Sequence, residues 1–247
     1  MNLQKYIQSL GKFATRLSPA LIILSTSSSQ LLAQTSPIQI SLKFPSASDR
    51  GAPERTVGGG RRGTSCITLD KGKPSLTALM PTRDNVGNTT SDTPSLYVYV
   101  PKNTAKTGEF VLMDEIGDEI YKANFPMPNR AGIVKLNIPK TVPLKVSQRY
   151  QWYFTIACDL EDWSRNEFVK GSIQRIALSS SVNSSLTKAE PLKQAKILAQ
   201  YNVWHDTLDK IAQVRTQKPS EWKELITSVG LQDIVNEPIL DCCQAKP

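Results

Sequence analysis

Residues Tyr150-Gln-Trp-Tyr-Phe-Thr-Ile-Ala-Cys158 place Tyr150, Trp152, Phe154, Ile156 and Cys158 at every second position. Successive side chains of a strand point to opposite faces, so these five share one side. A nine-residue run with this alternation and this aromatic content is a strand with one face in a core. It sets the class of everything around it. From Cys66 to about Leu178 the chain continues as short β-type runs at 66–69, 76–80, 96–100, 109–114, 119–125, 133–138 and 169–178. Pro81, Pro101, Pro126, Pro128, Pro139 and Pro143 fall at the ends of runs, where a missing N–H costs no ladder bond. Gly117-Asp118 marks a hairpin turn between two of them.

Eight strands at this spacing predict an antiparallel sandwich or barrel over residues 66–178. Cys158 falls on the buried face beside Trp152, which is similar in architecture to the tryptophan near the disulfide of immunoglobulin-like domains. The expected fold is therefore mainly β with α: an immunoglobulin-like antiparallel β-sandwich followed by helices. After a polar linker at 179–185 the period changes to about 3.6. Leu192, Ala195, Leu198 and Ala199 form one apolar face, with Thr187 and Glu190 as a capping box or Pro191 as the first helical residue. Trp204, Leu208, Ile211, Ala212 and Arg215 form a second face, and Trp222, Leu225, Ile226 and Val229 a third. Ser220 is the expected N-cap of this third segment and Gly230 its stop. Region 186–240 thus reads as a helical hairpin plus a short third helix, packed on the sandwich.

The first 33 residues read as an export signal. Lys5, Lys12 and Arg16 precede the short apolar stretch 17–24, and Leu31-Leu32-Ala33 offers a cleavage site after Ala33. The apolar stretch is far below the ~20 residues of a spanning helix, so no transmembrane segment is expected once the signal is removed. Cleavage loses three cations and no acid, so a formal charge of +8 falls to +5. A mildly basic chain gives no case for a nucleic-acid partner. The expected location is periplasmic or secreted.

Export makes the four cysteines, Cys66, Cys158, Cys242 and Cys243, candidates for disulfides. Three pairings are possible. A bond between the neighbours Cys242 and Cys243 strains the backbone, which favours Cys66–Cys158. With one histidine, His205, and no CxxC, no metal site or cofactor is expected.

Residues 34–65 are rich in Gly, Arg and Pro. Their one alternating stretch, 38–44, reads as an edge strand. Within them Gly58-Gly59-Gly60-Arg61-Arg62-Gly63 would offer backbone N–H groups and two guanidinium forks to an anion. It lacks the Lys-Ser/Thr ending of a phosphate-binding P-loop. The competing reading has the glycines lying flat on the sheet while the arginines pair with carboxylates.

The segments Gly51-Ala-Pro-Glu-Arg-Thr-Val-Gly-Gly-Gly-Arg-Arg-Gly63…Cys66, Leu79-Met-Pro81, Pro94-Ser-Leu-Tyr-Val-Tyr-Val-Pro101, Tyr150…Asp159 and Gly171-Ser-Ile-Gln-Arg175 occur in that order. Tyr201-Asn-Val-Trp-His-Asp-Thr-Leu208 and Trp222…Val229-Gly-Leu231 follow them. Together they resemble the cyanobacterial domain-of-unknown-function family 928 (DUF 928), over roughly residues 44–240. The resemblance implies an exported protein of a photosynthetic bacterium. It implies no catalytic residue, since the family has none assigned.

The remaining polar clusters read as structural. Asp114, Glu115, Asp118 and Glu119 form an acidic turn without the spacing of a calcium loop. His205 and Asp206 are neighbours on a helix and do not face each other, so His205 reads as a capping or surface residue. Asp159, Glu161 and Asp162 read as a loop pairing with Arg165 or Arg175. The tryptophans on helical faces read as core. The function expected is an exported, non-enzymatic binding or interaction module of the bacterial envelope, whose partner is an envelope protein or an anionic envelope polymer. The alternative is a periplasmic hydrolase acting on glycans or peptides through loop carboxylates, which needs two such groups across a cleft.

Overall fold

The computed structural model describes residues 42–45, 66–81 and 86–243, apart from the side chain of Trp163. The export signal, Gly58, Gly59, Gly60, Arg61 and Arg62 lie outside these residues. The strands are β1 (Ile67–Thr68), β2 (Thr77–Ala78), β3 (Val86–Thr89), β4 (Ser95–Val100), β5 (Lys102–Asn103), β6 (Thr107–Met113), β7 (Glu119–Pro126), β8 (Gly132–Asn137), β9 (Arg149–Ala157) and β10 (Glu167–Arg175). Helices α1 (Ser180–Thr187), α2 (Pro191–Gln200), α3 (Trp204–Gln213) and α4 (Pro219–Ser228) follow, and β11 (Ile239–Leu240) returns to a sheet.

Two sheets build the sandwich, one in the order β3-β10-β9-β6-β7 and one in the order β11-β8-β4-β2, with β1 and β5 as a separate ribbon. The alternation read in β9 is present: Tyr150, Trp152, Phe154 and Ile156 are buried. Fully burying a large apolar side chain stabilises by about 1.5–3 kcal/mol. Most pairings are antiparallel, but β3 runs parallel to β10 and β11 parallel to β8, so the sheets are mixed. Trp152 stands opposite Gly171 of β10. Its ring lies 2.5 Å from where a Cβ on that residue would project, so only glycine fits there.

Strand β4 is buried at every position from Leu96 to Val100. A strand covered on both faces reads as a continuous apolar run. Here Tyr97 and Tyr99 share one face, and the Tyr97 hydroxyl donates to Asp209 of α3 at 2.7 Å. Helix α3 therefore packs on this sheet while also meeting β3 of the other. A single hydrophobic cluster runs through Trp152, Phe110, Leu96, Trp204, Leu208, Trp222 and Leu225. The segments drawn in the sequence at 66–178 and 186–240 accordingly lie, for their described residues, in one compact unit.

Three strands carry no signal of their own. Val86-Gly-Asn-Thr89 has one apolar side chain, and β5 and β11 are two residues each. The linker expected at 179–185 is instead the start of a fourth helix, α1. Ser179 caps it by accepting from the Val182 N–H, and none of its residues is buried, so it has no apolar period to read. Helix α2 begins with Pro191 at its first turn and has no side-chain cap, which decides between the two starts. Helix α4 likewise begins at Pro219 after Lys218, not after Ser220. Gly230 follows it at φ 76°, the conformation a helix stop requires. Of the expected edge strand, residues 42–44 are described; they form no strand and lie against α4. The Leu42 and Phe44 N–H groups donate to Glu224 Oε2 and Ser228 Oγ, at 2.7 and 3.1 Å.

Cys66 and Cys158 are bonded, with their Cα atoms 5.3 Å apart. Both are half-buried. Cys158 lies beyond the end of β9, six residues from Trp152, which at strand rise is roughly 20 Å. It is therefore not beside Trp152 as the alternation suggests.

Candidate functional site

Helix α3 meets the sheets through consecutive polar side chains. Trp204 Nε1 donates to the Leu79 carbonyl at 2.8 Å, and its ring stands edge-on to Phe44 at 4.9 Å between centroids. Asp206, in the first turn, accepts from Thr89 Oγ1 at 2.5 Å, from the Thr90 N–H at 2.8 Å and from Thr90 Oγ1. One turn later Asp209 accepts from the Tyr97 hydroxyl, from Lys135 Nζ and from Gln213 Nε2, each at 2.7 Å. Burial alone would raise the Asp209 carboxyl. Hydrogen bonds from Lys135 and Tyr97 outweigh it and hold the group below its ordinary 3.8.

His205 is neither a cap nor a surface residue, contrary to the sequence reading, for its side chain is 1% exposed. Burial holds the imidazole neutral, lowering its value to about 3, and a hydrogen bond with the Ser95 backbone offsets this in part. Nε2 has no partner among the described residues and points at Gly87, 2.6 Å from where a Cβ would stand. His205 and Asp206 do diverge, one towards Gly87 of β3 and Ser95 of β4, in different sheets, and one to Thr89 and Thr90. The pair is a clamp between helix and sheet. It is not an acid–base dyad.

One groove adjoins this clamp, and a second lies apart from it. The first, about 440 Å³, lies between α1–α3 and the loop that joins β3 to β4. Thr90, Ser91, Thr93, Ser95, Asn183 and Gln194 supply hydroxyls and amides, and Leu186, Leu198 and Pro94 supply apolar surface. Its carboxylates, Asp206 and Asp209, are the two already engaged by the sheets. The second, about 470 Å³, lies along α1 and α2 and is lined by Lys188, Lys193, Ser185, Gln200 and Tyr201 with Val182, Ala189 and Ile197. No carboxylate stands among its described lining residues.

The other clusters close on themselves. Asp114 accepts from the Ile116 and Asp118 N–H groups and so caps its own turn. Asp159 pairs with Arg165 at 2.7 Å, whereas Arg175 donates to the Thr90 and Leu144 carbonyls. Trp152, Trp204 and Trp222 are buried and present no ring to a sugar. Among the described residues no three His, Cys, Asp or Glu side chains gather where a metal could bind. No described helix is long and apolar enough to cross a membrane. Cys242 and Cys243 are unbonded, with sulfurs 2.6 Å apart.

A family model described as Domain of Unknown Function (DUF928) matches residues 57–239. The chain belongs to this family. The DUF928 match takes in the Gly/Arg segment, the α3 clamp and both grooves, and ends before Cys242. No curated protein matches the chain. Among solved structures, the fn3 domain of human collagen alpha-1(XX) chain is similar over 49% of this chain and 94% of that domain, at 14% identity and a TM-score of 0.25.

Sequence reasoning missed both grooves, because each has one wall from α1 and the first another from the loop after β3, neither of which carries a periodic signal. The one available cue was the hydroxyl-rich run Thr89-Thr90-Ser91, directly before Asp92.

Proposed function

We propose that this protein is an exported, non-enzymatic binding module of the bacterial envelope, periplasmic or secreted, and that its ligand is an anionic envelope polymer. The α1–α2 groove carries the reading: Lys188 and Lys193 line it, with no carboxylate among its described lining residues. Lysine ammonium groups are point charges suited to phosphate, sulfate or carboxylate along a chain. Arg61 and Arg62, within the Gly58-Gly59-Gly60 segment, would add guanidinium forks for the same kind of ligand. The bonded Cys66 and Cys158 support a compartment where disulfides persist.

Hydrolysis has less behind it. A carboxylic general acid needs a raised value to hold its proton near neutrality. In the first groove Asp209 is held low, and the carboxylate of Asp206 is bound by two threonines. Replacing Lys188 and Lys193 by alanine tests the binding reading. Affinity for an acidic polysaccharide should fall about tenfold, or ~1.4 kcal/mol, with the melting temperature unchanged. Unchanged affinity sinks the proposal. Recovery of an acidic envelope protein in place of polymer would move the partner to the other class.

A further inference from the structure

Cys242 and Cys243 follow β11 after one intervening residue, Asp241, at the end of the described chain. Their side chains are not equivalent. Cys243 is 4% exposed and packs into the core cluster, whereas Cys242 is half-buried and reaches solvent. Cys243 sits at φ 63°, in the left-handed region that residues with a side chain rarely adopt. This turn puts the two sulfurs side by side. One thiol is open to a reagent and the second is positioned behind it. That is the layout of an attacking and a resolving cysteine.

We propose that Cys242 and Cys243 form a redox-active vicinal dithiol that exchanges with low-molecular-weight disulfides, Cys242 attacking and Cys243 resolving. The Cys242 thiolate forms a bond to one sulfur of the reagent. The reagent's S–S bond breaks, and its other sulfur leaves as a thiol after taking up a proton. Cys243 then gives up its proton and bonds to Cys242 Sγ, expelling the second reagent thiol. Two protein thiols are oxidised by two electrons, and one disulfide is reduced to two thiols.

The charges around the pair agree with these roles. The contact with Cys243, together with Arg130, holds the Cys242 thiol below its ordinary value against burial and Asp241. The same contact and burial push the Cys243 thiol up. The thiolate is the attacking species, so reactivity concentrates at Cys242. Neighbouring Cα atoms stand about 3.8 Å apart across a trans peptide, and ordinary disulfides span ~4.4–6.8 Å. The oxidised pair is therefore strained and easily reduced, unlike Cys66–Cys158. The protein would carry one structural disulfide and one labile one.

The test is oxidation of the reduced pair by oxidised glutathione, with Cys66–Cys158 left intact as an internal control. In the wild type, the tryptic peptide 224–247 should lose two hydrogens and both sites of alkylation. Cys243→Ser should trap a glutathione adduct on Cys242, and Cys242→Ser should react at least ~10-fold more slowly. The proposal is overturned if the wild-type peptide still takes two alkylating groups. It is equally overturned if a glutathione adduct on Cys242 persists with Cys243 present, or if Cys242→Ser reacts at the rate of Cys243→Ser.

Discussion

The imidazole of His205 rests on the backbone of Gly87, its Nε2 2.6 Å from where a Cβ on that glycine would project. The ring is fully buried and cannot swing aside. Gly87→Ala should therefore destabilise the protein by about 1–3 kcal/mol through overpacking. The cost should shrink in a His205→Ala background, since the two residues are in contact. Denaturant unfolding of the four species measures the coupling. Equal costs in both backgrounds would show that the clamp does not bear on β3.

The same burial makes stability depend on pH. His205 titrates at about 3 in the folded protein against an ordinary 6.5. Below 6.5 the unfolded chain binds a proton that the folded chain refuses, so this contribution is complete above pH 6.5 and is lost as pH falls towards 3. The slope approaches ~1.4 kcal/mol per pH unit. His205 is the single histidine of the chain, and the lowered Asp209 loses its contribution only below 3.8. Between pH ~7 and ~5 the wild type should lose about 2 kcal/mol. His205→Gln should be nearly flat over that interval. A flat wild-type profile would place His205 in contact with water.

The Cys66–Cys158 bond closes a separation of 92 residues. In the chain-entropy model such a loop stabilises by about 4 kcal/mol, less any strain. Tryptic mapping without reduction should recover the linked peptides, and Cys66→Ser with Cys158→Ser should lower the unfolding free energy by that order. Linkage of Cys158 to Cys242 or Cys243 would contradict the pairing.

The Gly/Arg segment gives opposite forecasts under its two readings. As a binding element, Arg61→Ala with Arg62→Ala should weaken polymer affinity and leave the melting temperature in place, each charge-assisted bond being worth ~1.5–3 kcal/mol when well formed. As a folding device, it should leave buried or loop carboxylates unpaired and lower the melting temperature. Asp159 is already paired with Arg165, which removes one such acid from the second forecast.

The strands with their own alternation were legible in the sequence, β9 to within one residue at its C-terminal end, because one buried face imposes a period of two. β3 was not, because Val86-Gly-Asn-Thr89 is held by β10 on one side and by His205 and Asp206 on the other, so its stability comes from tertiary partners rather than propensity. Helix α1 escaped for a related reason. Its Thr187 and Ser185 hydroxyls bond back to the carbonyls four residues earlier, and nothing in it reaches the core. Trp204, His205, Asp206 and Asp209 were visible as a cluster. Their partners, spread from Leu79 to Lys135, were not, since no local pattern records what a helix meets across the fold.

Equilibrium binding of the signal-free protein to a purified acidic envelope polysaccharide, with the length of the polymer followed in the same sample, tests the account most directly. The expected result is saturable binding that weakens with salt, is reduced by Lys188→Ala with Lys193→Ala, and leaves the polymer intact. New reducing ends accumulating with time, or no binding at low salt, would contradict it.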